Sequence, residues 1–286
     1  MILTQNTGLN LLCQQLAAFI LAALLAVSAF AEEPPPLKMG VLPYLSSELL
    51  FKNYLPMKDY LETKLNRRVI MITAPDFKTF VQRAERGDYD IYVTAPHFAL
   101  LAEAKQGFRR VCSFSRKLIG DVVVRRDSPI KRLEDLRGHT VITPDALAIT
   151  SILGEQLLEE HGLHSNKDYQ LKRSNSHNNA ILTVSRGAAD AALTTASVFE
   201  QLSPEVKRKL RILATTRAVP PLMIMTHPRL SQTEYEQIKS SLLAFTSDGR
   251  GQNFVDANGT GNMGPINDAD MQRLRPFLKE TQERLK

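Results

Sequence analysis

The chain has 286 residues, 36 Lys and Arg against 30 Asp and Glu, a net charge of +6 and two cysteines. That length admits one large domain or two lobes with real cores, and two cysteines exclude a disulfide scaffold. The basic residues are scattered rather than interleaved with aromatics, which argues against a nucleic-acid surface, whereas a mild positive potential suits small anions.

Residues 1–31 carry no Lys, Arg, Asp or Glu, and the apolar run LAAFILAALLAVSAFA ends in Ala29-Phe30-Ala31 before Glu32. This pattern predicts a secretory signal peptide over 1–31, although it lacks a positive n-region. An uncleaved anchor is the alternative, but the run is shorter than the roughly 20 residues a spanning helix needs. Cys13 leaves with the signal, so the mature chain keeps only Cys112 and forms no internal disulfide; Cys112, in RRVCSFSR, reads as a buried strand thiol.

From residue 37 the periodicity predicts a strand LKMGVL, a Pro43-Tyr44 turn, a helix through SSELLFKNYLPMKDYLETKL and a strand RRVIMIT. A loop at Ala74-Pro75-Asp76, a helix FKTFVQRAER, Gly87 and a strand YDIYV follow, ending at Thr94. Residues 139–196 repeat the order: HTVIT, Pro144-Asp145, ITSILGEQLLEEH, YQLKR, Ser174-Asn175-Ser176, HNNAILTVSR, Gly187, DAAL and Thr194. Arg86-Gly87-x-x-Asp90 aligns with Arg186-Gly187-x-x-Asp190, and Thr94 with Thr194; allowing one extra residue, Pro43 aligns with Pro144 and Asp76 with His177. Gly87 and Gly187 read as left-handed helix stops.

Such β-α-β-α-β units build parallel sheets covered by helices. The expected fold is α/β: a two-lobed clam, each lobe a mainly parallel sheet flanked by helices. Lobe 1 covers 32–121 plus 222–286 and lobe 2 covers 122–221. Gly120 to Val124 and Val219 to Ile224 read as the two hinge crossings, and the C-terminal helices over 231–255 and 268–285 as packing back on lobe 1. A ligand belongs in the cleft at the carboxyl ends of both sheets.

The helix opening near Ile149 offers unpaired amides to an oxyanion, with Thr150 and Ser151 adding hydroxyls or simply capping the helix. His177 heads the next helix of the same lobe as a cation or N–H donor, or stands exposed behind caps at Ser174 to Ser176. By the repeat, Tyr44, Thr94 and Ala95 face the cleft from lobe 1, and Thr194 and Thr195 from lobe 2. Asp76 suits a helix cap better than an anion, and Arg217 reads as a surface arginine. His161-Gly162-Leu163-His164 straddles a helix stop without acidic or thiol partners, so no metal or other cofactor is expected.

Four segments together resemble a known family: GDYDIYVTAPHFALL, SPIKRLEDLRGHTVITPDALAITS, SNSHNNAILTVSRGAADAAL and LLAFTSDGRGQNFVDANGTGNMGPINDADMQRLRPFL. They are similar to the phosphate, phosphite and phosphonate-binding periplasmic components of ABC transporters, a branch of the type 2 periplasmic binding proteins. The resemblance implies a periplasmic solute-binding monomer, with a small anionic ligand and an ABC permease as partners. It also implies a ligand role for the loop before residue 152 and for His177, since SNSHNNA resembles the family's Gly-Ser-His segment. Where the family has Ser-Thr-Ser-Gly, this chain has Ala148-Ile149-Thr150-Ser151, which leaves open which anion it takes.

Two other readings compete. A ligand-sensing protein that signals to a membrane kinase would share every feature above. An exported hydrolase or transferase would need a nucleophile and base within reach; His177 with Ser176 or Ser151 offers a pair, but no orienting acid is evident.

Overall fold

The structure, a computed structural model, describes residues 34–286. The signal-peptide reading of 1–31, with Cys13, lies outside the described residues. The first repeat unit folds as β1 (Leu37–Val41), α1 (Ser47–Leu65), β2 (Val69–Ile72), α2 (Phe77–Glu85) and β3 (Ile91–Thr94). Then come α3 (Pro96–Gln106) and β4 (Arg109–Phe114). The second unit is β6 (Thr140–Thr143), α4 (Ile149–Glu160), β7 (Gln170–Arg173), α5 (His177–Ser185) and β8 (Ala191–Thr195), entered through β5 (Gly120–Arg125). It continues through α6 (Ala196–Glu200), α7 (Pro204–Arg208) and β9 (Leu210–Thr215). The chain ends with β10 (Met223–Thr226), α8 (Gln232–Phe245), α9 (Gly249–Asn258), β11 (Met263–Gly264), α10 (Asp268–Leu274) and α11 (Pro276–Leu285).

Two sheets result, with strand orders β11-β4-β10-β3-β1-β2 and β7-β6-β8-β5-β9. β1 pairs in parallel with β2 and β3, and β6 with β7 and β8. At the edge β11 runs antiparallel to β4; the antiparallel intruders within the sheets are β10, between β3 and β4, and β5, between β8 and β9. Their direction follows from where they come from. A chain leaving one sheet at its carboxyl end reaches the carboxyl end of the other, so the arriving strand must run backwards. Gly120 accordingly pairs with Thr195 at the end of β8, and Met223 with Thr94 at the end of β3. The segments read from sequence as hinge crossings are therefore partly sheet strands. The crossings themselves are residues 115–119 and 216–222, clasped where Leu118 and Val219 exchange backbone hydrogen bonds of 3.0 and 2.9 Å.

The repeat governs local structure as well. In α2, Phe77, Phe80, Val81 and Ala84 are buried; in α5, His177, Ala180, Ile181 and Val184 are. Both sets have the i, i+3, i+4, i+7 spacing of one helix face. The caps correspond too, since Asp76 accepts from Thr79 N at 2.6 Å and Ser176 Oγ from Asn179 N at 3.3 Å. The counterpart of Asp76 is thus Ser176, not His177, because the extra residue near Pro144 is absorbed before α5. His177 occupies the position of Phe77.

Gly87 and Gly187 both have φ +76°, where a side chain would be strained, and stop α2 and α5. Three residues after each glycine an aspartate reaches back to the start of its sheet. Asp90 Oδ2 accepts from Lys38 N at 2.7 Å and Asp190 Oδ2 from Thr140 N at 2.8 Å. The Arg-Gly-x-x-Asp strings are fold devices.

The C-terminal helices return to the first sheet: α8 packs on α1 and β4, and α10 and α11 pack on α3. Cys112 is buried, 4.0 Å from Met263 Sδ, and burial holds its thiol well above the ordinary range. It is a core residue. Among the described residues no helix is long and apolar enough to cross a membrane.

Because a buried backbone N–H without an acceptor costs about 1–3 kcal/mol, Asp90→Ala should lower stability by that order. Asp190→Ala should cost less, since its side chain is 43% exposed against 10% for Asp90. Urea denaturation of both variants measures this, and equal losses would contradict the account.

Candidate functional site

The carboxyl ends of the two sheets enclose a cavity of about 60 Å³. One water needs about 10–15 Å³ of such space, so the cavity holds a few waters or one small ion. Leu42, Phe77, Phe114 and Leu222 line it from the first sheet's side, and Ile149, Thr150, His177 and Thr195 from the second's.

Local structure aims the polar groups. Ala148 caps α4 without a side-chain hydrogen bond, and the amides of Ile149 and Thr150 find no backbone acceptor among the described residues. Thr150 is 2% exposed and its Oγ1 has no hydrogen-bond partner. His177 is 3% exposed, and its Nδ1 likewise has none. Groups so deeply buried are nearly always paired, and these four belong to residues that line the cavity. Burial alone pushes the His177 imidazole down to about 3, so of the two roles read from sequence, cation or N–H donor, burial favours the neutral N–H donor.

Of the residues proposed from sequence, Tyr44, Ala95, Thr150, His177 and Thr195 line the cavity. Tyr44 O accepts from His177 N at 3.2 Å, while its phenol, pushed up to about 12 by burial, stays protonated 3.2 Å from Tyr54 Oη. Thr195 Oγ1 is partly used as the cap of α6, accepting from Val198 N. Three others lie outside the lining. Ser151 Oγ is taken by Thr143 Oγ1, and Thr94 and Thr194 are buried with unpartnered hydroxyls at the strand ends. Arg217 lies over the Phe277 ring at 5.2 Å and donates to Gln156, away from the cavity.

The sequence reading missed the crossing and tail residues. Arg116 and Lys117 line the cavity, but Arg116 is paired with Glu200 at 2.5 Å and Lys117 is exposed. Asn258, Gly259 and Thr260 also contribute, and the dense glycines of ANGTGNMG were their only sequence signal. Among the described residues, no Asp or Glu lines the cavity. A helix N-terminus carries a partial positive charge, and the α4 start brings one to the cavity.

The loop leading into α4 is gripped from the other lobe. Phe77 N donates to Asp145 Oδ2 at 3.1 Å, His97 Nε2 to Leu147 O at 2.9 Å and Arg284 Nη1 to Ala146 O at 2.8 Å. Ser46 N donates to Asn178 Oδ1 at 3.1 Å beside His177. Both helix starts that carry the unpaired groups are therefore positioned by contacts that exist only when the lobes are together.

His97 is buried as well, and burial lowers its imidazole to about 4. Unfolded histidine binds its proton near pH 6.5, so as pH falls below about 6.5 the unfolded chain takes up protons that the fold refuses until about pH 3 to 4. Ligand-free stability should fall through that window. At about pH 4.5 His177→Asn should lose less than the parent, by on the order of 2 kcal/mol, in urea denaturation compared with about pH 7.5. Parallel pH profiles would contradict a neutral buried His177.

Comparison with known proteins bears on the family and the fold. The family described as ABC transporter, phosphonate, periplasmic substrate-binding protein matches residues 39–271. A binding-protein component of an ABC phosphonate transporter from Pseudomonas aeruginosa superposes with a TM-score of 0.78 at 16% identity, covering 89% of this chain and 90% of its own. PhnD1 from Prochlorococcus marinus, solved with methylphosphonate, gives 0.77 at 15% identity over 86% and 98%. A Xanthomonas citri protein solved with chloride gives 0.69 at 22% identity over 87% and 98%. At these identities the structures establish the fold, that of type 2 periplasmic binding proteins, while the family match establishes membership. The chain belongs to the periplasmic phosphonate substrate-binding proteins of ABC transporters.

Proposed function

We propose that this protein is exported by the signal peptide at 1–31, works as a monomer and closes around one small oxyanion of the phosphonate, phosphite or phosphate type. It then presents the closed form to an ABC permease. In this reading the lobes expected at 32–121 plus 222–286 and at 122–221 meet at the crossings 115–119 and 216–222, so Gly120 and Asp121, which pair within the second sheet, go with the second lobe. Tyr44, Ala95, Thr150, His177 and Thr195 contact the ligand or frame it, whereas Ser151, Thr94 and Thr194 support the strand and helix ends behind them.

The observation that carries this reading is the set of unpaired donors at Ile149, Thr150 and His177 in a cavity sized for one small ion. A helix N-terminus with free amides favours an anion, and burial strengthens each hydrogen bond. Closure follows from differential affinity: only with the lobes together do Tyr44 and Phe77 meet the α4 and α5 starts, so a ligand bound there favours the closed state. Among the described residues no Asp or Glu lines the cavity to orient His177 as a catalytic base, which favours binding over hydrolysis.

A thermal-shift screen of phosphate, phosphite, methylphosphonate, aminoethylphosphonate, sulfate, arsenite and carboxylates tests this. At least one phosphorus oxyanion should raise Tm and compact the protein in X-ray scattering. His177→Ala and Thr150→Ala should each weaken it about tenfold or more, since a hydrogen bond to a charged group contributes about 1.5–3 kcal/mol. Full affinity in both variants would refute the site assignment. Asp145→Ala, which removes a lobe-to-lobe bond without touching the cavity, should weaken the same ligand by less.

A further inference from the structure

We propose that the C-terminal helix α11 is a latch on the closed form, and that Arg284 is a positioning residue that sets ligand affinity without touching the ligand. The inference rests on the oxyanion reading above and adds what controls closure from outside the cavity.

α11 is anchored in the first lobe. Its Phe277 and Thr281 are buried, Thr281 Oγ1 donates to Phe277 O at 2.6 Å, and the helix packs on α3. Glu280 and Arg284, one turn apart, reach the second lobe. Arg284 Nη1 donates to Ala146 O at 2.8 Å and its Nη2 stands 3.4 Å from Glu155 Oε2, while Gln156 Nε2 donates to Glu280 Oε2 at 3.2 Å. Arg217, in the second crossing, joins both sides. Its guanidinium lies over the Phe277 ring at 5.2 Å and donates to Gln156 Oε1 at 3.3 Å. Glu155, Gln156, Arg217, Glu280 and Arg284 all lie outside the cavity lining.

What these contacts hold is α4. Ala146 lies in the loop before that helix, and Glu155 and Gln156 follow Thr150 by about one and a half turns. A Cβ at Gly154 would stand 2.6 Å from Leu193 Cδ1, so α4 lies tight on β8 and moves with its sheet as one body. Holding α4 against α11 therefore holds the amides of Ile149 and Thr150 at the cavity.

Both charges of the cross-lobe pair also have a partner inside their own lobe. Glu155 pairs with Arg173 of β7 at 2.9 Å and Arg284 with Glu280 at 2.7 Å, each closer than the 3.4 Å between Arg284 and Glu155. Opening the clam leaves neither charge alone. An ion pair without such partners would strand two partly buried charges on opening and resist release. Here the cross-lobe pair is partly exposed and contributes modestly, so it biases closure and still lets go. Apparent affinity scales with the population of the binding-competent form, so this bias is read in the Kd.

Calorimetry and stopped-flow kinetics with methylphosphonate on the intact protein test the latch. Arg284→Ala should raise the Kd about threefold to thirtyfold, chiefly through faster dissociation, and Gln156→Ala should act in the same direction by less. Arg173→Ala should not weaken binding, and a tighter Kd is consistent with the latch. It removes the partner that Glu155 keeps in the open form and leaves the cross-lobe contacts in place, whereas a merely structural role would weaken binding in all three variants. Without ligand, Arg284→Ala should show a larger radius of gyration than the parent in X-ray scattering. An Arg284→Ala Kd equal to the parent's, or an Arg173→Ala loss as large as that of Arg284→Ala, would overturn the latch while leaving the oxyanion site intact. If no phosphorus oxyanion binds the parent, the oxyanion reading falls and ligand-free scattering decides the latch, an unchanged radius of gyration in Arg284→Ala overturning it.

Discussion

Everything in this molecule that concerns function depends on one constraint: buried polar groups at a helix start must find partners. Ile149, Thr150 and His177 are placed where protein cannot satisfy them, since α4 and α5 begin at the carboxyl edge of their sheet and their first turns face the cavity. Leaving such groups unpaired is expensive, so the closed lobes are at their most favourable around a ligand with complementary oxygens.

The lobes are coupled to that site through a short stretch of chain. Asp145, Ala146 and Leu147 each hold a group from the other lobe, and the next residue begins the capless start of α4. A loop with small or apolar side chains at 146–148 uses its carbonyls as the gripped surface. The grip from His97 and Arg284 holds the loop that leads into the amides of Ile149 and Thr150.

Much of the fold was legible because duplication is redundant information. Gly87 and Gly187, Asp90 and Asp190, and the core faces of α2 and α5 carry the same physical requirement twice, so their order predicted two α/β lobes. The register between copies was harder. An extra residue near Pro144 suggested Asp76 against His177, whereas helix capping restores Asp76 against Ser176 and Phe77 against His177. At the site, residues on predicted helix starts were readable, because capping position and cleft edge coincide. Ser151, Thr94 and Thr194 were not separable from true lining, since facing the cavity depends on a rotation of one residue. Arg116 and Asn258 to Thr260 come from crossing and tail segments whose path no local pattern encodes. The charge of His177 was also hidden, because it depends on how completely the second lobe covers it.

The central claim is that the unpaired groups of α4 and α5 are the ones an oxyanion meets. Nitrogen-15 NMR reports it directly, through the amides of Ile149 and Thr150 and the ring nitrogens of His177 as methylphosphonate is added. The account predicts that these signals shift most, with a His177 ring nitrogen gaining a hydrogen bond at neutral pH. Bound methylphosphonate that leaves the His177 ring and both amides unchanged, while shifting residues elsewhere, would contradict it.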